Sequence, residues 1–228
     1  MNIQNKKTQA RILFALLILV LMLMAGCSGL SLKDKEDMSA EELAKKGLEQ
    51  FDHGKYFLAV ETFNIIKERF PFSRFSLLAE LKSADCKFYM NDYAEALELY
   101  NTFEKNHPTN EAVPYVIFQI GRSHYRTIDT VDRDTTGARD AIKAFSRLLR
   151  AYPNSPYTEE AKNLIRKANN FLAAHELYVA NFYFRTKEYS QAKGRAEYLL
   201  DAFPDSPAAT KARALMEKLE DSEHQAEQ

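Results

Sequence analysis

The chain is poor in the residues that usually announce chemistry. Of its 228 residues only two are cysteine and five are histidine. His53, His107, His124, His175 and His224 are scattered, none with another histidine or a cysteine three or four residues away, so no metal site of zinc-protein spacing is expected. A Gly-rich phosphate loop, a nucleophile elbow and a His-Glu helix motif are missing as well. Carboxylates are plentiful, but they fall where solvated helix surfaces are expected and form no isolated acid pair. Charge is nearly balanced, 31 Lys and Arg against 32 Asp and Glu, whereas a nucleic-acid binder would show a basic excess. The expectation is a protein that is not an enzyme, holds no metal or cofactor and binds no nucleic acid.

A membrane-spanning run is missing too. The apolar stretch Ile12–Met24 has 13 residues, short of the roughly 20 that a spanning helix needs. Lys6, Lys7 and Arg11 precede it with no acid among them, and Ala25-Gly26-Cys27 follows. That order is a secretory signal over residues 1–26. Small residues directly before a cysteine resemble the bacterial lipobox, with Met24 where leucine is usual. The resemblance implies cleavage before Cys27 and its modification by S-diacylglycerol and an N-acyl chain such as palmitate. Each buried methylene contributes about 0.8 kcal/mol, so two or three chains attach a protein stably. Ser28, in place of an aspartate, points by the same likeness to the outer membrane.

From Cys27 onward the chain carries 28 basic and 32 acidic side chains, a net charge of −4. With Cys27 acylated, Cys86 has no partner for an internal disulfide, and stability must come from packing. Cys86 falls in a helical pattern and reads as a small buried hydrophobe.

What is present is a repeat. Arg69-Phe70-Pro71-Phe72-Ser73, Asn106-His107-Pro108-Thr109-Asn110, Ala151-Tyr152-Pro153-Asn154-Ser155 and Ala202-Phe203-Pro204-Asp205-Ser206 are four marks of one kind. Proline cannot continue the helix before it, and Ser or Asn just after can cap the next. Ahead of each proline stands one spaced set: Ala59, Phe63, Ile66; Ala96, Tyr100, Phe103; Ala141, Phe145, Leu148; Ala192, Ala196, Leu199. Gly47 and Ala84 lie twelve residues before the first two alanines. These are tetratricopeptide spacings, in which a small residue is needed where two antiparallel helices cross. Tyr56, Tyr93 and Tyr189 open the second helices, and Ser39 with Glu42, like Asp92 with Glu95, has capping-box spacing.

The expected fold is all-α, a tetratricopeptide-like solenoid of four repeats over residues 39–220 with a C-terminal capping helix through Ala208, Ala212, Leu215, Met216 and Leu219. Residues 27–38 read as a lipidated tether and 221–228 as a disordered polar tail. Two departures break the period. A polar loop, Asp129–Thr136, is inserted inside the third unit, and no Gly or Pro interrupts Tyr157–Lys193. The stretch Tyr157–Lys187 is compatible with one helix bent near Asn169-Asn170 or with two.

The insertion carries a family likeness. Asp132-Arg133-Asp134, Ala138-Arg139, then Ala141, Phe145, Leu148, Arg150 and Tyr152-Pro153-Asn154-Ser155-Pro156-Tyr157-Thr158 resemble the BamD family of outer-membrane protein assembly factors. Gly26-Cys27-Ser28-Gly29 and Arg69–Ser73 are similar to it too. The resemblance covers Cys27 to about Met216, and this chain lacks the complete fifth repeat usual in that family. It implies a lipoprotein on the periplasmic face of the outer membrane, anchored in the inner leaflet. The implied partners are the POTRA domains of BamA, other lipoproteins of the Bam complex and unfolded outer-membrane β-barrel proteins. Arg195 looks like the family's arginine at the BamA contact. Two other readings remain: a different periplasmic repeat adaptor, of the Tol-Pal coordinator or pilotin type, and a lipid-anchored cell-wall enzyme, for which no nucleophile or metal site is offered.

The inner wall of such a solenoid is lined by the first helix of each unit. Counting from Gly121, that places Tyr115, Phe118, Arg122 and Tyr125 in unit three, and Leu78, Leu81, Asp85 and Phe88 in unit two. Phe88, Tyr115, Phe118, Arg122 and Tyr125 form the expected peptide groove, centred on Phe118 and Arg122, and aromatics around one cation suit a peptide with aromatic side chains and a terminal carboxylate. The alternative is that these aromatics fill the space between helices.

Overall fold

The computed structural model describes residues 37–226, with side chains through 222. Cys27, the signal segment and most of the tether lie outside the described residues. Among the described residues every regular element is helical: α1 Ala40–Asp52, α2 Tyr56–Arg69, α3 Arg74–Tyr89, α4 Tyr93–Asn106, α5 Val113–Arg126, α6 Thr136–Ala151, α7 Thr158–Arg185, α8 Tyr189–Ala202 and α9 Pro207–Ala226. The four expected pairs and the closing helix are all present, in the tetratricopeptide-like arrangement. The chain forms two compact units, one ending at Ala79 and one beginning at Glu80.

The first unit is built on the α1–α2 hairpin. Ser39 Oγ accepts the Glu42 N–H (3.3 Å), and the Glu42 carboxylate accepts the Ser39 N–H (2.8 Å), so two donors left open by the start of α1 are satisfied reciprocally. Where the helices cross, a Cβ on Gly47 would lie 2.5 Å from a Phe63 ring carbon. Only hydrogen fits there, which is why the spacing demanded a small residue. Leu43, Ala59, Phe63 and Ile66 are fully buried around the crossing.

In the second unit α5 and α6 cross in the same way, with Gly121 directly under the ring of Phe145. The first part of α7 then covers this pair: Ala161 joins Ile117, Phe118, Phe145 and Leu148 in one cluster, and Ala168 and Leu172 join Ala138 in the next. Farther along α7, Ala173 and Ala180 meet α8 and α9 through Leu199, Ala212, Leu215 and Leu219.

Turns are of two repeating kinds. Within pairs, Gly54, Asn91 and Lys187 adopt φ of 71°, 62° and 64°. The next N–H in each reaches back to a helix carbonyl: Lys55 to Gln50 (2.8 Å), Asp92 to Lys87 (3.0 Å) and Glu188 to Tyr183 (2.9 Å). This left-handed cap closes the first helix and aims the second. Between pairs, Phe70, His107, Tyr152 and Phe203 end their helices with φ from −129° to −138° and ψ from 50° to 62°. Each precedes a proline, which disfavours the helical conformation at that position. Ser73 and Ser206 then cap as expected, accepting the N–H of Phe75 in α3 and Ala209 in α9, whereas Asn110 and Ser155 accept from Ala112 and Tyr157, one residue ahead of α5 and α7, whose first turns carry no side-chain cap.

The third pair lacks the short turn. Thr127–Thr135 runs as a loop whose Val131 carbonyl is 2.6 Å from His175 Nδ1 on α7. Two expectations are resolved here. Tyr157–Lys187 contains a single 28-residue helix, Thr158–Arg185, which continues through Asn169-Asn170 because small buried residues, Ala161 and Ala168 toward the third pair and Ala173 and Ala180 toward α8 and α9, anchor its whole length. The disordered tail expected from Asp221 is corrected as far as Ala226. With Leu219 anchored and no proline or glycine after Pro207, α9 simply propagates, and it needs no further apolar face to do so.

Candidate partner-binding cleft

Because the turn after α6 swings Tyr152 and Tyr157 toward the start of α5, a cleft opens between them. It measures about 700 Å³. Tyr115, Tyr152 and Tyr157 with Pro114, Pro153 and Pro156 make most of its wall, Leu81 closes the α3 side, and exposed Glu111 stands at the edge. Aromatic and proline faces hold their shape at little entropic cost, and such surfaces receive extended peptides.

Tyr115 is fixed from behind. Its hydroxyl donates to Asp85 Oδ1 at 2.8 Å, Tyr100 donates to the same oxygen at 2.7 Å, and Lys82 Nζ lies 2.8 Å from Oδ2. Asp85 is fully buried, so these bonds replace its water. Burial, and then the Asp85 charge, push the ionisation of both tyrosines far above the ordinary phenol range, and they remain donors. Gln119 Nε2 donates to the Tyr115 oxygen (2.8 Å), and Arg122 donates to Gln119 Oε1 (3.1 Å). The chain of bonds thus joins α3, α4 and α5.

The expected groove residues divide. Phe88 and Phe118 are only 3 % exposed, so neither offers a face to a peptide. Phe118 lies stacked on Tyr157 (5.0 Å between centroids, 16°) and tilted against Phe145 (5.8 Å), filling the space between α5, α6 and α7. Phe88 is covered on one side by the Arg122 guanidinium, 4.7 Å from its centroid. The reading of Phe118 and Arg122 as a peptide-binding centre is therefore corrected: Arg122 is engaged with Gln119 and Phe88, and Phe118 is core. Tyr125 is half-buried against two clusters. Tyr115 alone of the five lines the cleft, and Asp85, expected on the wall, is buried behind it.

Arg195 projects from α8, nearly half exposed, with Nη1 3.0 Å from Glu176 Oε2 on α7. Glu176 is 3 % exposed, so the arginine neutralises a buried carboxylate while keeping part of its guanidinium outward. Tyr183, Gln191, Gly194 and Tyr198 surround it in a shallow depression. Burial raises the Cys86 thiol to about 12, which makes it unreactive, in keeping with a small core residue. Among the described residues no group of acids, histidines or cysteines is placed to hold a metal.

A family model described as an outer membrane lipoprotein, YfiO, matches residues 36–225. The chain belongs to the YfiO family. Its curated relatives include the outer membrane protein assembly factor BamD of Haemophilus influenzae, 30% identical over 212 residues, covering 89% of this chain and 80% of that protein. BamD of Vibrio cholerae is 29% identical and covers 86% of this chain and 85% of its own. The family expected from the inserted block is the one found, and its curated members are named as assembly factors rather than enzymes. A thermophilic tetratricopeptide protein of Thermus thermophilus aligns with a TM-score of 0.45 at 15% identity, over 78% of this chain and 99% of its own. The repeat assignment rests instead on the helix pairs and their glycine crossings.

Proposed function

We propose that the protein is a lipid-anchored scaffold on the periplasmic face of the outer membrane, belonging to the β-barrel assembly machinery. It binds the POTRA domains of BamA and receives unfolded barrel precursors. The match to the YfiO family across residues 36–225 carries this reading. Acyl chains on Cys27 are its anchor. Arg195 is the BamA contact, its exposed guanidinium edge offered to an acidic group of the partner while Glu176 holds the other side. The cleft at Tyr115, Tyr152 and Tyr157 is the precursor site, displaced from the helix face read in the sequence toward the turns.

Solubilising the membrane and identifying what the native protein retains tests the assembly role. BamA should dominate, and a recovery without BamA rejects it. The cleft is tested by Ala112→Arg, which fills it from a half-buried position that enters its bond to Asn110 Oδ1 only through its own backbone N–H. Binding of a barrel protein's terminal peptide should fall about tenfold, a loss of about 1.4 kcal/mol. Unchanged affinity with an intact fold places the peptide elsewhere.

A further inference from the structure

Because the four pairs repeat, each can be compared with the others position by position. The two residues before the crossing alanine of the second helix are Ala94-Glu95, Arg139-Asp140 and Ser190-Gln191 in pairs two, three and four. They are small or polar, and they face water or lie half-buried. In the first pair the same positions hold Phe57 and Leu58, 64 % and 42 % exposed. The core does not require them there, since three pairs fold with small or polar residues at that place. An adjacent phenylalanine and leucine left in water at the closed end of a hairpin form an apolar surface open to a contact.

The surroundings indicate which contact. Lys55 and His53 are exposed beside the two apolar residues, and Tyr56 is half-buried, edge-on to Phe51 (5.4 Å). Aromatic and basic side chains around an apolar tip are the composition that settles at a membrane–water boundary. Asp52 and Glu61 more than offset the charge of Lys55, so the attraction is apolar. Reach is sufficient. The ten residues from Cys27 to Asp37 span up to about 35 Å when extended, whereas α1 holds its hairpin end only about 20 Å from its start.

We propose that the closed end of the α1–α2 hairpin, led by Phe57 and Leu58, rests in the headgroup region of the phospholipid leaflet that holds the acyl chains. The contact rests on the lipid anchor proposed for Cys27. It makes the first pair a second foot on the membrane, limiting how freely the anchored chain swivels about its tether.

The absence of tryptophan makes the test direct. In the acylated full chain, Phe57→Trp places one indole at the tip, and Leu58→Trp repeats the measurement from its neighbour. Both are reconstituted in vesicles of phosphatidylethanolamine and phosphatidylglycerol containing phosphatidylcholine brominated in its acyl chains. Emission should shift to the blue and fall to half or less, while Ser190→Trp, the matching position of the fourth pair, stays unquenched. Water-like, unquenched emission from both tip variants overturns the inference, as does a blue shift that appears only when BamA is added, which would assign the tip to a protein. Intact mass separates the two readings: acylated protein with an unquenched tip sinks this inference alone, and a mature chain without lipid removes the anchor and the contact with it.

Discussion

The α1–α2 and α5–α6 hairpins share one crossing and differ in everything that joins their helices. In both, a glycine lies under a phenylalanine ring, Gly47 beneath Phe63 and Gly121 beneath Phe145. The first is closed by three residues with Gly54 in the left-handed region, the other by nine residues, Thr127–Thr135. An invariant crossing under such different connections shows that ring-on-glycine packing fixes the pair. The loop costs little because closure entropy grows only slowly with length, and it is free to take on its own contact through His175.

The largest break in this comparison comes from the ring. Phe145→Ala should cost about 3 to 5 kcal/mol, and Phe63→Ala a similar amount, read as shifted denaturant midpoints. A much smaller loss at Phe145 would mean that the loop holds its pair. Next come the glycines: Gly47→Ala and Gly121→Ala should each cost about 1 to 3 kcal/mol by overpacking, and to the same extent in the two hairpins. His175→Ala should cost about 1 kcal/mol and speed proteolysis within Thr127–Thr135 while leaving the hairpin turns uncut. Lys187→Gly should add about 0.5 to 1 kcal/mol, because a lysine there holds a conformation that glycine adopts freely.

The smallest effect is one of pH. Burial holds the imidazole of His124, near the end of α5, below its ordinary 6.5, with Asp140 opposing. The fold therefore favours the neutral ring. Its contribution is full above the unfolded value and is lost as pH falls through the lower folded one. Denaturant midpoints should decline from pH 7.5 to pH 5, and His124→Gln should flatten part of that slope.

The repeat could be read from the chain because its marks are local: a proline, a capping Ser or Asn, and alanines at fixed spacing need no knowledge of the third dimension. The groove could not. Phe118 and Tyr115 lie three residues apart on one helix, and nothing in their spacing says that Tyr157 folds over the first and leaves the second facing a cleft. Asp85 is similar, since its burial depends on hydroxyls arriving from two other helices, Tyr100 and Tyr115. The cleft is walled in part by Pro153 and Pro156, the first legible in the sequence as a helix stop and both as part of the family block, neither as a binding surface. The unbroken α7 lay at the edge of legibility, because a missing breaker permits one helix without excluding a bend.

That unbroken α7 constrains how the family can vary. It serves the third pair with its first half and the fourth with its second, so both are geared to a single shaft. One residue inserted near Asn169 would turn everything beyond it by about 100° and advance it by about 1.5 Å, swinging His175 away from the Val131 carbonyl. Length changes in Thr127–Thr135 put only the Val131–His175 contact at stake, but in α7 only substitutions preserve the phase between the two ends.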